Sequence, residues 1–274
     1  MTEPEFELFT SLRYDPKLSG VPGTGTKGLD WGWNASKSSP LYMLDYHRDR
    51  MLRAATYFGW TDAIAAIDGD AGLARLEAFI LGLPEVGDHP LRVKVTLSKA
   101  GQFGHEAGQV PEQSLSNLLP PSLPPPGQGA FEGGVVKSPT YKIVVDLDQT
   151  PPSEYTHYKT TKRDMYNSAR QRMGIGATDT AEVLLVNTSD GSIMEGSLAT
   201  PYFWRNGRWV TPPVPTRFSR EQGGGQDGTT RRWALERGLC VEESVEASSL
   251  VEGEECWISS GVRGFNFGKV ALAK

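Results

Sequence analysis

The stretch Tyr158-Lys-Thr-Thr-Lys-Arg163 is the most informative part of this chain. Lys159 ends a loop just before a predicted helix over 163–173, which begins with an arginine and carries others. Neighbouring cations favour the uncharged, nucleophilic form of an amine. Lys159 is therefore a candidate nucleophile, with Lys162 as its local rival and a solvated surface lysine as the plainer alternative.

A candidate acid, Glu195, follows 36 positions after that lysine (159 to 195), in Ile193-Met-Glu-Gly-Ser-Leu198. It comes directly after a strand-like run and directly before a glycine, so we expect it at a strand end, where a side chain can project into a cleft. A carboxylate in that place can hold a ring nitrogen protonated. A surface glutamate on a hairpin explains the local pattern equally well.

A candidate anion cradle follows at Gly223-Gly-Gly-Gln-Asp-Gly-Thr-Thr-Arg231, which runs into a helix predicted over 229–237. Unpaired amides and the positive helix end favour a phosphate there. The segment lacks the Gly-Lys-Ser/Thr ending of a nucleotide-binding loop. Simple capping of the helix by Thr229 or Thr230 is the plainer alternative.

The pattern predicts two domains, a small N-terminal α+β domain over 1–110 and a larger, strand-rich domain with flanking helices over 135–274, joined by a Pro/Gly-rich loop over 111–134. The predicted elements are a strand over 6–14, a helix with Pro40 in its first turn, a helix from Asp70, and strands at 92–98, 141–148, 182–187, 192–195 and around the Asn206-Gly207 turn.

The composition excludes several classes of function. A net charge of -5 without a basic block argues against nucleic acid as a partner. No apolar stretch approaches the roughly 18 residues of a membrane span, and we expect a cytoplasmic protein. Two cysteines, Cys240 and Cys256, indicate neither a disulfide framework nor a metal site. Asp146 and Asp148 are interpreted as a solvated strand face, and the dinucleotide-like Gly23–Gly28 lacks a surrounding βαβ unit.

An amine, a carboxylate for a ring nitrogen and an anion cradle are together what an enzyme that uses pyridoxal phosphate must supply. His47-Arg-Asp-Arg50, Tyr158-Lys159, Glu195-Gly-Ser and Gly228-Thr-Thr-Arg231, in this order, resemble the class IV aminotransferase family, the fold type IV pyridoxal phosphate enzymes. The resemblance implies a two-domain α/β (α+β) fold with the cofactor in the cleft between the domains. It also implies a homodimer, and Trp31, Trp33 and Tyr42 are candidates for its interface or for the core.

The resemblance also implies roles for particular residues. Lys159 would link covalently to the cofactor as a Schiff base, and Glu195 would pair with the pyridine nitrogen. Arg50 and the amides of Thr229 and Thr230 would grip the phosphate. Further cofactor-binding candidates are Gly228, Ser260 and Gly261. Candidates for binding a small-molecule substrate are Thr10, Arg13, Arg92 and Arg163, since arginine grips carboxylates with paired hydrogen bonds.

Within the family, the stretches 9–15, 158–164, 200–205 and 258–264 look most like fungal-type 4-amino-4-deoxychorismate lyases. That likeness implies β-elimination, which yields 4-aminobenzoate for folate synthesis and pyruvate. Ser260, however, stands where such lyases commonly carry Asn, and Lys162 and Thr200 also depart from the usual pattern. A transaminase acting on D-amino acids or (R)-amines stays open, as does a non-catalytic homologue.

Overall fold

A computed structural model describes residues 6–22, 32–129, 134–176, 178–219 and 224–272. The chain forms two compact units, Met1–Leu115 with Tyr158–Lys162, and Ser116–His157 with Arg163–Lys274. The domain boundaries expected from composition stay predictions. The glycine pattern at 23–28, Trp31 and Gly223 lie outside the described residues.

The first unit combines helices with a small antiparallel sheet. Its elements are β1 (Leu8–Tyr14), α1 (Trp33–Ser36), α2 (Leu44–Phe58), α3 (Thr61–Ile67), α4 (Gly69–Leu81), β2 (Leu91–Leu97) and β3 (Phe103–Gln109), with a 3-10 turn at Pro16–Gly20. The strands pair in the order β1-β2-β3. β1 is therefore an end strand of this sheet, and β2 pairs with one of its two edges.

The core of this unit follows the expected periodicities. Val93, Val95 and Leu97 alternate along β2 and are fully buried, as the strand pattern predicts. Leu76 and Ile80 of α4 are fully buried at helical spacing. Tyr42 is also fully buried, and Trp33 packs against the same core, so core packing accounts for both aromatics.

The start of α2 differs from expectation, because Pro40 does not lie in the first turn. The carbonyl of Pro40 accepts from Asp15 N over 2.8 Å, which ties this segment to the end of β1. The helix begins only at Leu44, after Met43 at a φ of 52°. Asn34 Oδ1 accepts from Met43 N over 2.9 Å and helps to hold this left-handed residue.

The second unit is built on a larger, mixed sheet. Its strands are β4 (Tyr141–Thr150), β5 (Ala181–Asn187), β6 (Ile193–Gly196), β7 (Thr200–Arg205), β8 (Arg208–Thr211), β9 (Val241–Glu242), β10 (Glu255–Ser260) and β11 (Gly264–Val270), and its helices are α5 (Leu115–Leu118, whose first residue belongs to the first unit), α6 (Glu154–His157), α7 (Asp164–Arg172) and α8 (Thr229–Glu236), with a 3-10 turn at Ala247–Ser249. In the described residues the strand order is β6-β5-β4-β11-β10-β7-β8-β9. This is the mixed α+β architecture expected from the sequence.

The predicted solvated face of β4 is wrong for Asp146. This side chain is buried and receives two hydrogen bonds from Arg172, at 2.9 and 2.7 Å, while Leu147 is 67% exposed. The pairing of β4 with β5 shifts register between Val145 and Gln149. Over this interval β4 advances four residues while β5 advances two, so the regular alternation of side chains does not continue through it.

Within the described ranges, no helix combines the length and apolar content needed to cross a bilayer.

Candidate active site

The segment that carries Lys159 lies along the free edge of β1 in the first unit. Phe9 N donates to the Lys159 carbonyl over 3.1 Å, and Thr161 N donates to the Glu7 carbonyl over 2.9 Å. Leu8 and Thr160 form an antiparallel bridge between these contacts. The backbone on both sides of Lys159 is thus fixed as a short added strand, which limits where its side chain can reach.

Arg50 and Thr10 meet in the interior of the same unit. Thr10 Oγ1 accepts from Arg50 Nη2 over 2.7 Å and lies 2.6 Å from His47 Nδ1. Thr10 and His47 are both fully buried. Burial above all, then the charges of Arg50 and Lys159, holds the pKa of His47 well below its ordinary value. The imidazole is therefore neutral, and its Nδ1 shares a hydrogen bond with the Thr10 hydroxyl.

The two cations expected at the site are thus neighbours of one imidazole. Lys159 is half-buried, and its Nζ lies 4.8 Å from the centroid of the Phe9 ring. A cation over a ring face is attracted by the negative potential of that face. The first unit therefore brings together Lys159, Arg50 and Thr10.

Glu195 lies at the end of β6 in the second unit and is 9% exposed. Tyr166 Oη donates to its Oε1 in a short hydrogen bond, and Gln226 N lies 3.3 Å from its Oε2. Burial, followed by the charge of Glu195, raises the pKa of Tyr166 well above its ordinary value. The phenol is accordingly a permanent donor to the carboxylate.

The predicted anion cradle is the start of α8. Gly228 precedes the helix with extended backbone, and Thr229 and Thr230 form its first turn with 2% and 1% exposure. First-turn amides have no acceptor within a helix, and the positive end of the helix favours an anion. Thr230 Oγ1 lies 2.7 Å from Ser259 Oγ, which lies 2.7 Å from Tyr202 Oη. The first turn is thus anchored to the sheet.

Gly228 lies close to the Thr200 side chain, which would have to move for a larger residue. A Cβ at this position would lie 2.8 Å from Thr200 Oγ1, closer than real Cβ contacts come. Ser260 follows Ser259 at the end of β10, and Gly261 opens the turn to β11, which the Ser260 hydroxyl closes by accepting from Arg263 N over 3.1 Å. Thr230 and the 260–261 turn therefore belong to one neighbourhood of the second unit.

The three candidate arginines for substrate lie in different settings. Arg13 is 1% exposed and donates to Asp15 at 2.8 Å and to the Pro111 carbonyl at 3.0 Å, an arrangement that favours a structural role. Arg92 is 41% exposed on β2. In the second unit, Arg163 donates to the Ser197 carbonyl over 2.7 Å.

Sequence reasoning missed four residues that surround the predicted ones, namely His47, Tyr166, Gln226 and Ser259. His47 and Tyr166 each stand within a quoted motif or beside one, four residues or fewer from a predicted site residue in the chain. Helical spacing was the available signal for His47, because positions three apart, such as His47 and Arg50, share one face of a helix. Gln226 and Ser259 also lie within quoted stretches, near Gly228 and Ser260, but no periodicity singles them out, because loop and strand-end contacts depend on the tertiary fold.

These features define a class of protein. A family model described as amino-transferase class IV matches residues 33–266, and the chain belongs to this family. The solved structures agree on the fold. A Mesorhizobium loti protein assigned as an amino-acid aminotransferase superposes with a TM-score of 0.64 at 19% identity, covering 97% of this chain and 100% of that one.

Two lyases are among the similar proteins. The chain is 32% identical to aminodeoxychorismate lyase of Saccharomyces cerevisiae over 139 residues, which make up 45% of this chain and 35% of that protein. The match thus spans about a third of the length of the yeast protein. The structure of 4-amino-4-deoxychorismate lyase from Pseudomonas aeruginosa superposes with a TM-score of 0.59 at 16% identity, covering 98% of this chain and 83% of that one.

Proposed function

We propose that this protein is a pyridoxal phosphate-dependent lyase that converts 4-amino-4-deoxychorismate to 4-aminobenzoate and pyruvate. The likeness to the yeast aminodeoxychorismate lyase carries the choice of reaction. Membership of the class IV amino-transferase family supports the choice of cofactor. A cytoplasmic location stays a prediction.

The residues present fit pyridoxal phosphate. Glu195 is a nearly buried carboxylate that accepts hydrogen bonds from neutral groups, as a partner for a protonated pyridine nitrogen must be able to do. The first turn of α8 places backbone amides and the positive end of the helix beside Gly228, where a Cβ would lie 2.8 Å from Thr200 Oγ1. Lys159 would supply the amine for the aldehyde, and Arg50 would supply a cation for the phosphate.

Pyridoxal phosphate, when bound, supplies an electron sink that stabilises negative charge at the carbon bearing the substrate amine. Lys159 would hold the cofactor through its aldehyde. The Lys159 amine would also take the proton from the ring carbon that bears the substrate amine. As the bond to the enolpyruvyl oxygen breaks and the ring becomes aromatic, the same lysine would return a proton to the leaving group, which departs as pyruvate.

Borohydride trapping tests the covalent link. The protein is incubated with pyridoxal phosphate, reduced and digested, and the modified peptide is mapped by mass spectrometry. We expect the label on Lys159 and none on Lys162, which lies three residues further in the same segment and serves as an internal control. A label on Lys162, or none on the Lys159 peptide, would contradict the proposal.

A transaminase is the second candidate, because a transaminase-assigned protein shares the fold over nearly the whole chain. Pyruvate release from 4-amino-4-deoxychorismate distinguishes the two activities when it is compared with amino transfer from D-alanine or an (R)-amine to a keto acid. We expect pyruvate and 4-aminobenzoate in equal amounts from the lyase reaction. Amino transfer without elimination would replace the lyase by the transaminase.

We further propose that the active form is a homodimer, as the family resemblance implies. Size-exclusion chromatography with light scattering measures the mass directly. A mass of about twice the 29.9 kDa chain is expected. A monomer with full activity would contradict this part of the proposal.

A further inference from the structure

A chain of hydrogen bonds within the second unit connects Glu195 with the start of α8. Gln226 Nε2 donates to Tyr166 Oη over 2.9 Å, and Tyr166 Oη donates to Glu195 Oε1. The backbone of the same glutamine faces both ends, since its N–H points to Glu195 Oε2 and its carbonyl accepts from Gly228 N over 2.9 Å. One residue therefore contacts the carboxylate and the predicted phosphate turn.

The direction of these bonds is fixed by chemistry. An amide nitrogen only donates, so the Tyr166 oxygen accepts from Gln226. The single phenol hydrogen faces the Thr156 carbonyl at 3.3 Å and the Glu195 carboxylate, and the carboxylate is both closer and charged, which makes it the stronger acceptor. The phenol does not lose that hydrogen, because burial and the adjacent carboxylate both oppose its ionisation. Glu195 thus has a permanent donor on one oxygen.

The phenol itself is held firmly. Tyr166 is 1% exposed and packs with Val144, Ala169 and Val183 in one of the cores of the second unit. The guanidinium of Arg163 lies 4.4 Å from the centroid of its ring. Because both the ring and its hydroxyl are constrained, the donor is delivered to one place.

We propose that Tyr166 and Gln226 are positioning residues that fix Glu195 for the ring nitrogen of the cofactor and couple it to the turn at 228–230, which would bind the phosphate. This inference rests on the proposed function, because it concerns the same cofactor. Neither residue needs to touch the substrate. Their effect is that the pyridine end and the phosphate end of the cofactor are bound by one hydrogen-bonded unit.

An analogue without the ring nitrogen separates positioning from structural damage. Dissociation constants are measured for pyridoxal phosphate and for 1-deazapyridoxal phosphate, in which a C–H group replaces that nitrogen. The wild-type protein is expected to prefer pyridoxal phosphate. Tyr166→Phe should lower this preference about tenfold, as expected for one hydrogen bond to a charged group, while binding of the deaza analogue changes little. Tyr141→Phe, which removes another buried phenol hydroxyl of this unit, is the control and should keep the preference.

Gln226→Ala provides the second arm, with inorganic phosphate as the probe for the turn. It should lower the preference for pyridoxal phosphate and also weaken phosphate binding, whereas Tyr166→Phe should leave phosphate binding unchanged. The inference would be overturned if both variants bound both pyridoxal compounds more weakly by the same factor, or if the preference for pyridoxal phosphate were unaltered. Binding of pyridoxal phosphate by the wild-type protein would in that case still support the proposed function. A wild-type protein that binds no pyridoxal phosphate would overturn both.

Discussion

The neutral, buried His47 predicts that the protein loses stability in mild acid through one identifiable group. Its imidazole is fully buried, shares a hydrogen bond with the Thr10 hydroxyl and lies near two cations, and its pKa falls well below the ordinary 6.5. Below pH 6.5 His47 binds a proton in the unfolded chain but stays neutral in the folded protein. Folding free energy is therefore lost as the pH falls below 6.5, and it is fully present above that value.

The size of this loss follows from one-proton linkage. Between pH 7.5 and pH 5.5 a single group that titrates at the ordinary value only in the unfolded chain removes about 1.4 kcal/mol. His47→Asn keeps an acceptor for Thr10 but cannot titrate. The variant should be less stable at both pH values because it loses packing, yet its stability should fall by about 1.4 kcal/mol less between them.

Urea unfolding at pH 7.5 and 5.5, followed by tryptophan fluorescence, measures both quantities. His105→Asn is the control, since it removes an imidazole that is 32% exposed on β3 and paired with Glu85. An equal pH dependence for wild type and His47→Asn would refute the assignment of a buried neutral imidazole. A change of slope in the His105 variant alone would point to another group.

Three further predictions test the packing of the second unit by shifts of its urea midpoint. Gly264→Ala should lower the free energy of unfolding by about 1–3 kcal/mol, because the φ of Gly264 is 61° and an added Cβ would collide with the Asn117 carbonyl. Gly207→Ala is the control and should lower it less, because Gly207 has a φ of 79° but lies in open space. Equal losses would remove the steric argument. Asn117→Ala should lower the free energy of unfolding by about 1–3 kcal/mol, because the buried Asn117 amide donates to the Phe265 and Val136 carbonyls and accepts from Val136 N. A neutral outcome would speak against that role. Arg172→Met should lower the free energy of unfolding by about 1.5–3 kcal/mol, because it removes the cation that pairs with the buried Asp146 carboxylate. Adding Asp146→Asn to this variant should recover part of the lost stability. No recovery would show that the charge is not the cause.

Elements with a local signal were predictable from the sequence. β2 alternates because one face packs on the core, and α4 repeats its apolar residues at helical spacing for the same reason. The Asn206-Gly207 turn between β7 and β8 was readable because both residues adopt positive φ. In each case the pattern that predicts the element lies within the element's own residues.

Elements formed by partners elsewhere in the chain were not predictable. β3 contains two glycines and is exposed along much of its length, so it exists as a strand because β2 pairs with it. β10 pairs with β11 on one edge and β7 on the other, and four consecutive residues in its middle are buried, so it shows no alternation. The buried position of Asp146 depends on a register shift against β5, which no local pattern reveals.

The candidate site divides in the same way. Lys159, Glu195 and the 228–230 turn were named from their order along the chain, and the structure places the last two in linked positions through Gln226. The links themselves join residues 29 to 60 positions apart, such as Tyr166 to Glu195 and to Gln226. Such pairs become visible only after the chain has folded.

The added strand at Lys159 determines how the first unit can be obtained in isolation. Expression of residues 1–115 alone would omit the segment that covers β1, leaving the Phe9 amide and the Glu7 carbonyl without their acceptor and donor. Bare strand edges recruit other chains, so such a fragment should aggregate. A soluble version would need the 158–162 peptide grafted back, for example through a designed linker ahead of Glu7. The Lys159 segment therefore also has a structural role, because it covers a strand edge of the first unit that would otherwise be open.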